Sequence, residues 1–521
     1  MKTSFEIREN EFWWGGSVSD GIEMPFSRET TGFSRDFRVE TSNQTMPLYV
    51  SSQGRYIWSE TPFAVTIDGG RFTFEGDEFE LVEAGSTLRD AYLAASKAHF
   101  PFSGKLPPVE FFSTAQYNTW MEFTYEPNQA GVLQYAHAIV DNGFTPGIFI
   151  IDEGWHRPYG DWTFDPVKFP QPKAMVDELH ALGFKVMLWV VPYVTASGVR
   201  FVRGTSPELN PGRGDKLFMR NEDGDITVVR WWNGFGAILD LSNPVDAEYL
   251  DNQLQALIHD FGVDGFKFDG GTLHSYTNTT DVNGTHCGTA DGTYSAAEKN
   301  IAWNQFGMRY AYHEYKDTFK GGGAPVVQRL SDRRHRWNSE GIASILPDSL
   351  AQGLIGHPFI CPDMIGGGEW SYNARPGFHL DEELFIRMAQ VSIFFPMMQF
   401  SLAPWRVLSP EGLAAVRRCA ELHAQFAPEL LQILRQSAQT GEPVVRTLEY
   451  AYPHCGYERI HDEFMCGDDI LVCPVVTKGT REKELIFPAG RWADAAGNIY
   501  TEGRHVVATP VEQLAWFRRI S

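Results

Sequence analysis

Gly262-Val-Asp-Gly-Phe-Lys-Phe-Asp269-Gly-Gly271 is an apolar run that stops at an acid followed by two glycines. Before it, residues 246–261 carry apolar side chains at helical spacing. Helix, turn, short buried strand, then an acid at the strand's C-terminal end: in an α/β barrel that end is the active-site face. Lys267 stands two residues before Asp269, so both are expected on one side of the strand. An inward lysine keeps such a carboxylate ionised and fixes its position, which suits a nucleophile. The structural alternative is a loop acid behind an ordinary core strand, and the flanking chain weighs against it.

Outward from this stretch, strand and helix alternate. Residues 147–152 read as a short apolar strand ending in Asp152-Glu153-Gly-Trp155, followed by a helix over 172–182 and a strand over 185–191. Helical spacing also covers 128–140 and 410–435. Strands at 109–114, 325–330, 357–361, 391–400 and 443–447 bring the count to about eight, as a (β/α)8 TIM barrel requires. The stretches 195–240 and 270–295, rich in Gly, Asn, Asp and Thr, are expected as long loops on one rim. Turns such as Ile67-Asp-Gly-Gly70 between Phe/Val-rich runs predict an N-terminal β-sandwich over 1–105. Prolines in 101–108 mark a linker, the barrel is expected over 106–450, and returning β-branched runs predict a C-terminal β-domain over 451–521.

Composition narrows the function classes. A chain of 521 residues that is 43% hydrophobic can bury a large core. A formal charge of -22 without a basic tract argues against nucleic acid and anionic membranes as partners. The six cysteines (Cys287, Cys361, Cys419, Cys455, Cys466, Cys473) show no CxxC or metal-ligand spacing and read as buried thiols, with no metal expected. The three sequons, at Asn43, Asn278 and Asn283, read as chance occurrences. The start, Met1-Lys-Thr-Ser-Phe-Glu6, is not a signal peptide, and no long apolar run follows. A cytoplasmic protein is expected, or a periplasmic or secreted one if a leader has been removed. Self-association into a homo-oligomer is left open.

Acids and aromatics gather at the predicted strand ends: Asp152, Glu153 and Trp155; Trp189; Lys267 and Asp269; Arg329 and Asp332; Asp363; Gln399. Glycoside cleavage needs two carboxyls flanking the bond, about 5–5.5 Å apart when configuration is retained.

Five segments in order resemble glycoside hydrolase family 31: Ile150-Ile-Asp-Glu-Gly-Trp155, Asp161-Trp-Thr-Phe-Asp165, Phe184-Lys-Val-Met-Leu-Trp-Val-Val-Pro-Tyr193, Asp264-Gly-Phe-Lys-Phe-Asp269 and Pro362-Asp-Met-Ile-Gly-Gly367. Gly467-Asp-Asp-Ile-Leu-Val-Cys-Pro474 resembles that family's β-domain after the barrel. The resemblance implies retaining α-glycoside hydrolysis of an oligosaccharide or small glycoside, without metal or organic cofactor. It makes Asp269 the nucleophile, Lys267 its electrostatic partner, Asp152 a ligand of the hydroxyls farthest from the scissile bond, and Trp189 a pocket wall. Core packing is the alternative for Trp189. Asp363 would orient neighbouring groups, and Gln399 and Ser401 lie where many members place a histidine.

The proton donor is where the sequence departs from the family. Many members carry it in Trp-x-Gly-Asp, whereas this chain reads Gln328-Arg-Leu-Ser-Asp332-Arg-Arg-His-Arg-Trp337-Asn-Ser-Glu340-Gly. Asp332 at the strand end and Glu340 after Trp337 compete, and Asp332 is favoured. Arg333, Arg334 and Arg336 would hold a neighbouring carboxyl ionised unless they point away. For the sugar, Pro358-Phe-Ile-Cys-Pro-Asp-Met-Ile-Gly-Gly367 and Phe395-Pro-Met-Met-Gln-Phe-Ser-Leu-Ala-Pro-Trp405 look most like the α-galactosidase branch, which includes the myogenesis-regulating glycosidase. α-Glucosidase, α-xylosidase, sulfoquinovosidase or a non-catalytic sugar-binding barrel are the alternatives. Arg55, Trp58 and Glu60 are named as a loop that would reach over the barrel to meet an axial O4, although a surface hairpin is the favoured reading.

Overall fold

A computed structural model of the chain describes residues 2–38, 43–195, 217–220, 226–277 and 295–521. Most of the two rim loops expected at 195–240 and 270–295, with Cys287, Asn278 and Asn283, lies outside the described residues.

The barrel is built from eight short parallel strands: Gln116–Asn118, Ile148–Ile151, Lys185–Val190, Gly265–Phe268, Tyr312–Tyr315, Gln328–Arg329, a broken seventh (Ile360–Cys361, then Met364–Ile365) and Gln399–Phe400. Each pairs with its chain neighbour, and the eighth pairs back onto the first. The seventh touches the sixth through Ile360–Cys361 and the eighth through Met364–Ile365, so the break at Pro362 and Asp363 closes the ring.

Local chemistry accounts for the elements that carry the site. Asn128 accepts a hydrogen bond from the Gly131 N–H and starts the helix Gln129–Asp141, which buries Val132, Tyr135, Ala136 and Ile139 on one face. Pro244–Ala256 continues as a π-turn, Leu257–Phe261, and stops at Gly262, whose φ of 80° an L side chain resists. The chain then enters the fourth strand. There Gly265 lies so close to the fifth strand that a Cβ would stand 2.0 Å from the Tyr312 carbonyl oxygen.

Three expectations about strands need correction. Residues 109–114 contain the short helix Glu110–Ser113, and the first strand begins at Gln116. Val445–Arg446 pairs with Phe464–Cys466 and so belongs to the C-terminal sheet rather than the barrel. The fifth strand, Tyr312–Tyr315, is absent from the strands that the sequence pattern predicts. His313 and Glu314 break its apolar pattern, yet both are buried with partners: Glu314 accepts from Gln399 inside the barrel, and His313, on the opposite face of the strand, bonds the Tyr310 carbonyl and the Val327 N–H.

Before the barrel stand two four-stranded antiparallel sheets sharing one aromatic core that includes Trp13, Phe26, Tyr49, Phe63, Phe72 and Phe74. The helix Leu88–His99, opened by a Thr87/Asp90 capping box, leads from them towards the barrel. The long helix Pro410–Thr440 is followed by a six-stranded sheet made mostly of chain beyond Phe464. Of the described cysteines, Cys455 is exposed and the other four are buried and unbridged.

Candidate active site

At the C-terminal mouth of the barrel lies a cavity of about 470 Å³. Asp152, Glu153, Trp189, Lys267, Asp269 and Asp332 all line it, as do Lys316, Trp232 and Trp370. The register explains the clustering. Trp189 stands opposite Lys267 on the neighbouring strand, and Lys267 opposite Glu314 on the next, so the three occupy one layer. Asp269, two residues beyond Lys267, faces the same interior one step nearer the mouth.

Asp269 is held from three sides. The Trp189 indole N–H donates to Oδ2 at 3.0 Å, the Gly270 N–H donates to Oδ1 at 2.9 Å, and the Lys316 ammonium lies 3.3 Å from Oδ2. Burial alone would raise this carboxyl, but the ammonium groups of Lys316 and Lys267 outweigh it and hold Asp269 below the usual range.

The direct partner of Lys267 differs from the expected one. Its Nζ donates to Asp152 Oδ2 at 2.6 Å, and both side chains are 3% exposed, so the pair shows only an edge to the cavity. Lys267 therefore acts on Asp269 only through space. The cation touching Asp269 is Lys316, at the end of the strand that the sequence pattern conceals. Lys316 also lies 3.4 Å from Asp332 Oδ2. Burial would make Lys316 give up its proton, but the two carboxylates raise its pKa well above the ordinary value.

Asp332 accepts from Arg329 Nη1 at 2.8 Å. Burial would raise its pKa, but Lys316, Arg329 and Lys267 together push it far below the usual carboxylate range. Arg333, Arg334 and Arg336, expected to press on this carboxyl, point away: Arg333 reaches Asp348 at 2.5 Å, and the other two grip Glu340. Glu340 is thereby committed to two surface arginines outside the cavity lining. Trp337 also stays off the cavity, donating its indole N–H to Asp381 at 3.0 Å.

Four of the expected residues lie beneath or behind the cavity. Arg329, fully buried, spans Asp332, Asp363 at 2.5 Å and Glu314 at 3.5 Å. Burial raises the Asp363 carboxyl, which accepts the backbone N–H groups of Arg333 and Gly368 and so shapes the loops on either side of Asp332. Gln399 bonds Glu314 at 2.8 Å and Gln116 at 3.2 Å inside the barrel. Trp155 packs behind Trp189, donating to its carbonyl at 2.9 Å.

Trp58 does not line the cavity, although the Lys320 ammonium, from the loop after the fifth strand, lies 5.3 Å from its ring. It lies in a strand of the N-terminal sheets, stacked on His99 at 4.5 Å, with its indole N–H on Glu60. Arg55 is paired with Glu11 inside the same domain. The segment is core because its rings fill the space against the helix Leu88–His99.

Glu153 accepts from the Tyr159 hydroxyl at 2.7 Å and from the Asn233 amide. Burial pushes its carboxyl up to about 8 against the Tyr159 hydrogen bond, and the charges of Asp152 and Asp269 add to the rise. At neutral pH it is therefore mostly the uncharged acid. Trp120, Tyr125, Trp232 and Trp370 complete the walls. The sequence holds no spacing that singles them out among 15 tryptophans and 19 tyrosines.

Among the described residues no group of three or more His, Cys, Asp or Glu is arranged to hold a metal ion, and no helix is long and apolar enough to cross a membrane.

A parallel barrel with two carboxylates sharing one lysine in an aromatic-walled pocket at its C-terminal mouth is an arrangement suited to cleaving glycosides. The chain belongs to glycosyl hydrolase family 31: that family's TIM-barrel domain matches residues 105–431 and its C-terminal domain residues 441–519. A myogenesis-regulating glycosidase of Mus musculus is 32% identical over 430 residues, which is 80% of this chain and 57% of that one. An α-glucosidase of Bacillus thermoamyloliquefaciens is 24% identical across 98% of this chain and 66% of its own. A family 31 dextranase of Flavobacterium johnsoniae, solved with glucose, superposes with a TM-score of 0.81 at 17% identity, over 99% of this chain and 66% of that one. The chain thus spans between about half and two-thirds of the length of these relatives.

Proposed function

We propose that the chain is a retaining exo-α-glycosidase for terminal α-linked sugars, with α-galactosides as its substrate class. The observation that carries the reading is Lys316, which touches both Asp269 and Asp332. Its distances of 3.3 and 3.4 Å place one oxygen of each carboxylate on the same ammonium group, no farther apart than about 6.7 Å. Two carboxyls that close support attack by one and proton delivery by the other, and the resemblance to the family supports retention.

In this mechanism Asp269, ionised and oriented, attacks the anomeric carbon. Asp332 protonates the departing oxygen, and a covalent glycosyl-enzyme forms. Asp332 then takes a proton from water, which attacks the same carbon and releases the sugar. The cations around Asp332 make its protonated form scarce in the free enzyme, so turnover of poor leaving groups should improve as pH falls. Asp152 as acceptor and the neutral Glu153 as donor stand side by side at the opposite wall. An adjacent donor and acceptor suit a pair of sugar hydroxyls, which supports recognition of a terminal residue. The galactoside assignment is supported by the likeness of residues 358–367 and 395–405 to the α-galactosidase branch.

The test compares nitrophenyl α-galactoside, α-glucoside and α-xyloside, with Asp269→Ala on the best of them. We expect the galactoside to lead, turnover to vanish in Asp269→Ala, and azide to restore part of it as the glycosyl azide. A leading glucoside or xyloside would replace the substrate class. Wild-type-like turnover in Asp269→Ala would move the chemistry elsewhere.

A further inference from the structure

The N-terminal sheets reach the barrel at one point that bears on the reaction. Where residues 43–45 run into the strand Thr45–Ser51, they bind the backbone of the two loops that carry Lys316 and Asp332. Asn43 donates its amide to the Lys316 carbonyl at 2.5 Å and accepts the Ser331 N–H at 3.2 Å. Gln44 donates to the same Lys316 carbonyl at 2.6 Å and to the Arg329 carbonyl at 3.0 Å, and accepts from Gln352 at 2.9 Å. The Thr45 N–H donates to Thr318, and the Lys320 N–H donates to Thr45, so this segment forms a short parallel bridge with the loop after the fifth strand. Asn43, Gln44 and Thr45 are fully buried.

Resting on the proposed glycosidase reading, we propose that Asn43 and Gln44 are positioning residues: by tying the Lys316 and Arg329 carbonyls and the Ser331 N–H into one buried clamp, they set the distance between Lys316 and Asp332 and hence where the proton donor stands. The fifth and sixth strands end within a residue or two of these contacts, and the sixth is only Gln328–Arg329. Beyond the Leu330 N–H, which still donates to the Cys361 carbonyl at 3.1 Å, sheet pairing no longer fixes the backbone, and the N-terminal domain shares the task with Asp363. Burial strengthens the clamp, because each amide has no water to fall back on. A displacement of a catalytic group by an ångström is enough to cost rate. The buried state of Asn43 also means that its sequon is closed to glycosylation in the folded chain.

The test uses Gln44→Met, which keeps the shape and removes the donor, beside Lys320→Met. The latter breaks another contact between the domains, the Lys320–Glu60 pair, without touching the clamp. Rates are measured on a disaccharide and on a dinitrophenyl glycoside of whichever sugar the wild type prefers, together with Tm and hydrogen exchange over 316–318 and 329–333. The expected result for Gln44→Met is a loss of about tenfold or more on the disaccharide, where proton donation matters, and less than about twofold on the dinitrophenyl glycoside. Exchange should rise in both segments. Lys320→Met should leave the ratio of the two rates unchanged. A Gln44→Met protein with a lower Tm but an equal loss on both substrates would reduce the clamp to domain glue, and unchanged exchange would overturn it. Absence of turnover by the wild type on any α-glycoside would break the glycosidase reading instead, and the exchange measurement would still decide whether the clamp holds these loops.

Discussion

Two lysines at the mouth of the barrel are bound in opposite ways. Lys267 is committed to one carboxylate, Asp152, at 2.6 Å in a buried pair. Lys316 is shared between Asp269 and Asp332 at 3.3 and 3.4 Å, with its side chain 20% exposed. A lysine with a single partner fixes the position of that partner. A shared lysine couples the charges of two, so that a change on one carboxylate is felt by the other. The first arrangement suits a wall that reads the substrate, and the second suits a pair whose charges change during reaction.

The sharpest way to break this contrast is to remove Asp332. Asp332→Ala should lose about 10²–10⁴ in rate on a natural disaccharide and far less on a dinitrophenyl glycoside, with a flattened alkaline limb. Glu340→Ala should show a small loss independent of the leaving group, because Glu340 only bridges Arg334 and Arg336. The reverse pattern would transfer the proton donor to Glu340.

Lys316→Met tests the shared cation itself. Its positive charge favours the ionised form of Asp332, so its removal makes protonation easier. The alkaline limb for disaccharide hydrolysis should move to higher pH, read from kcat/KM profiles of both proteins. Arg329 remains, so the shift should be partial. A limb that stays in place would show that Lys316 does not govern Asp332.

The smallest effect on chemistry is expected from Lys267→Met. It should raise KM more than it lowers kcat on aryl glycosides, because its direct partner, Asp152, is the proposed ligand of the sugar hydroxyls. Its effect on folding should be the larger one: an unpaired buried carboxylate costs about 3–5 kcal/mol, visible as a fall in the denaturant midpoint. A fall in kcat with KM unchanged would mean that Lys267 acts mainly on Asp269 after all.

Much of this site is legible in the amino-acid sequence. Asp152, Glu153, Trp189, Lys267, Asp269 and Asp332 all lie in the last residues of a strand or within three residues beyond it, and all six line the cavity. Trp58, Trp155, Trp337, Glu340 and Gln399 are candidates by residue type and sequence context alone, and each is spent on a neighbour away from the cavity. Lys316 is hidden because Tyr312–Tyr315 does not read as a strand. With the end of that strand recognised, a lysine at that position is an evident candidate.

Hydrophobic period and turn residues act over a few neighbours, and they already specify the barrel, its flanking β-domains and the side of the fourth strand on which Lys267 and Asp269 lie. Which cation meets which carboxylate is settled by the packing of the whole chain. That choice depends on register between strands far apart in the chain, and on a pair of amides near residue 44 that fold back onto loops nearly 300 positions away. Contacts of that range carry no local period, and burial decides their strength by excluding the water that would otherwise compete for the same groups.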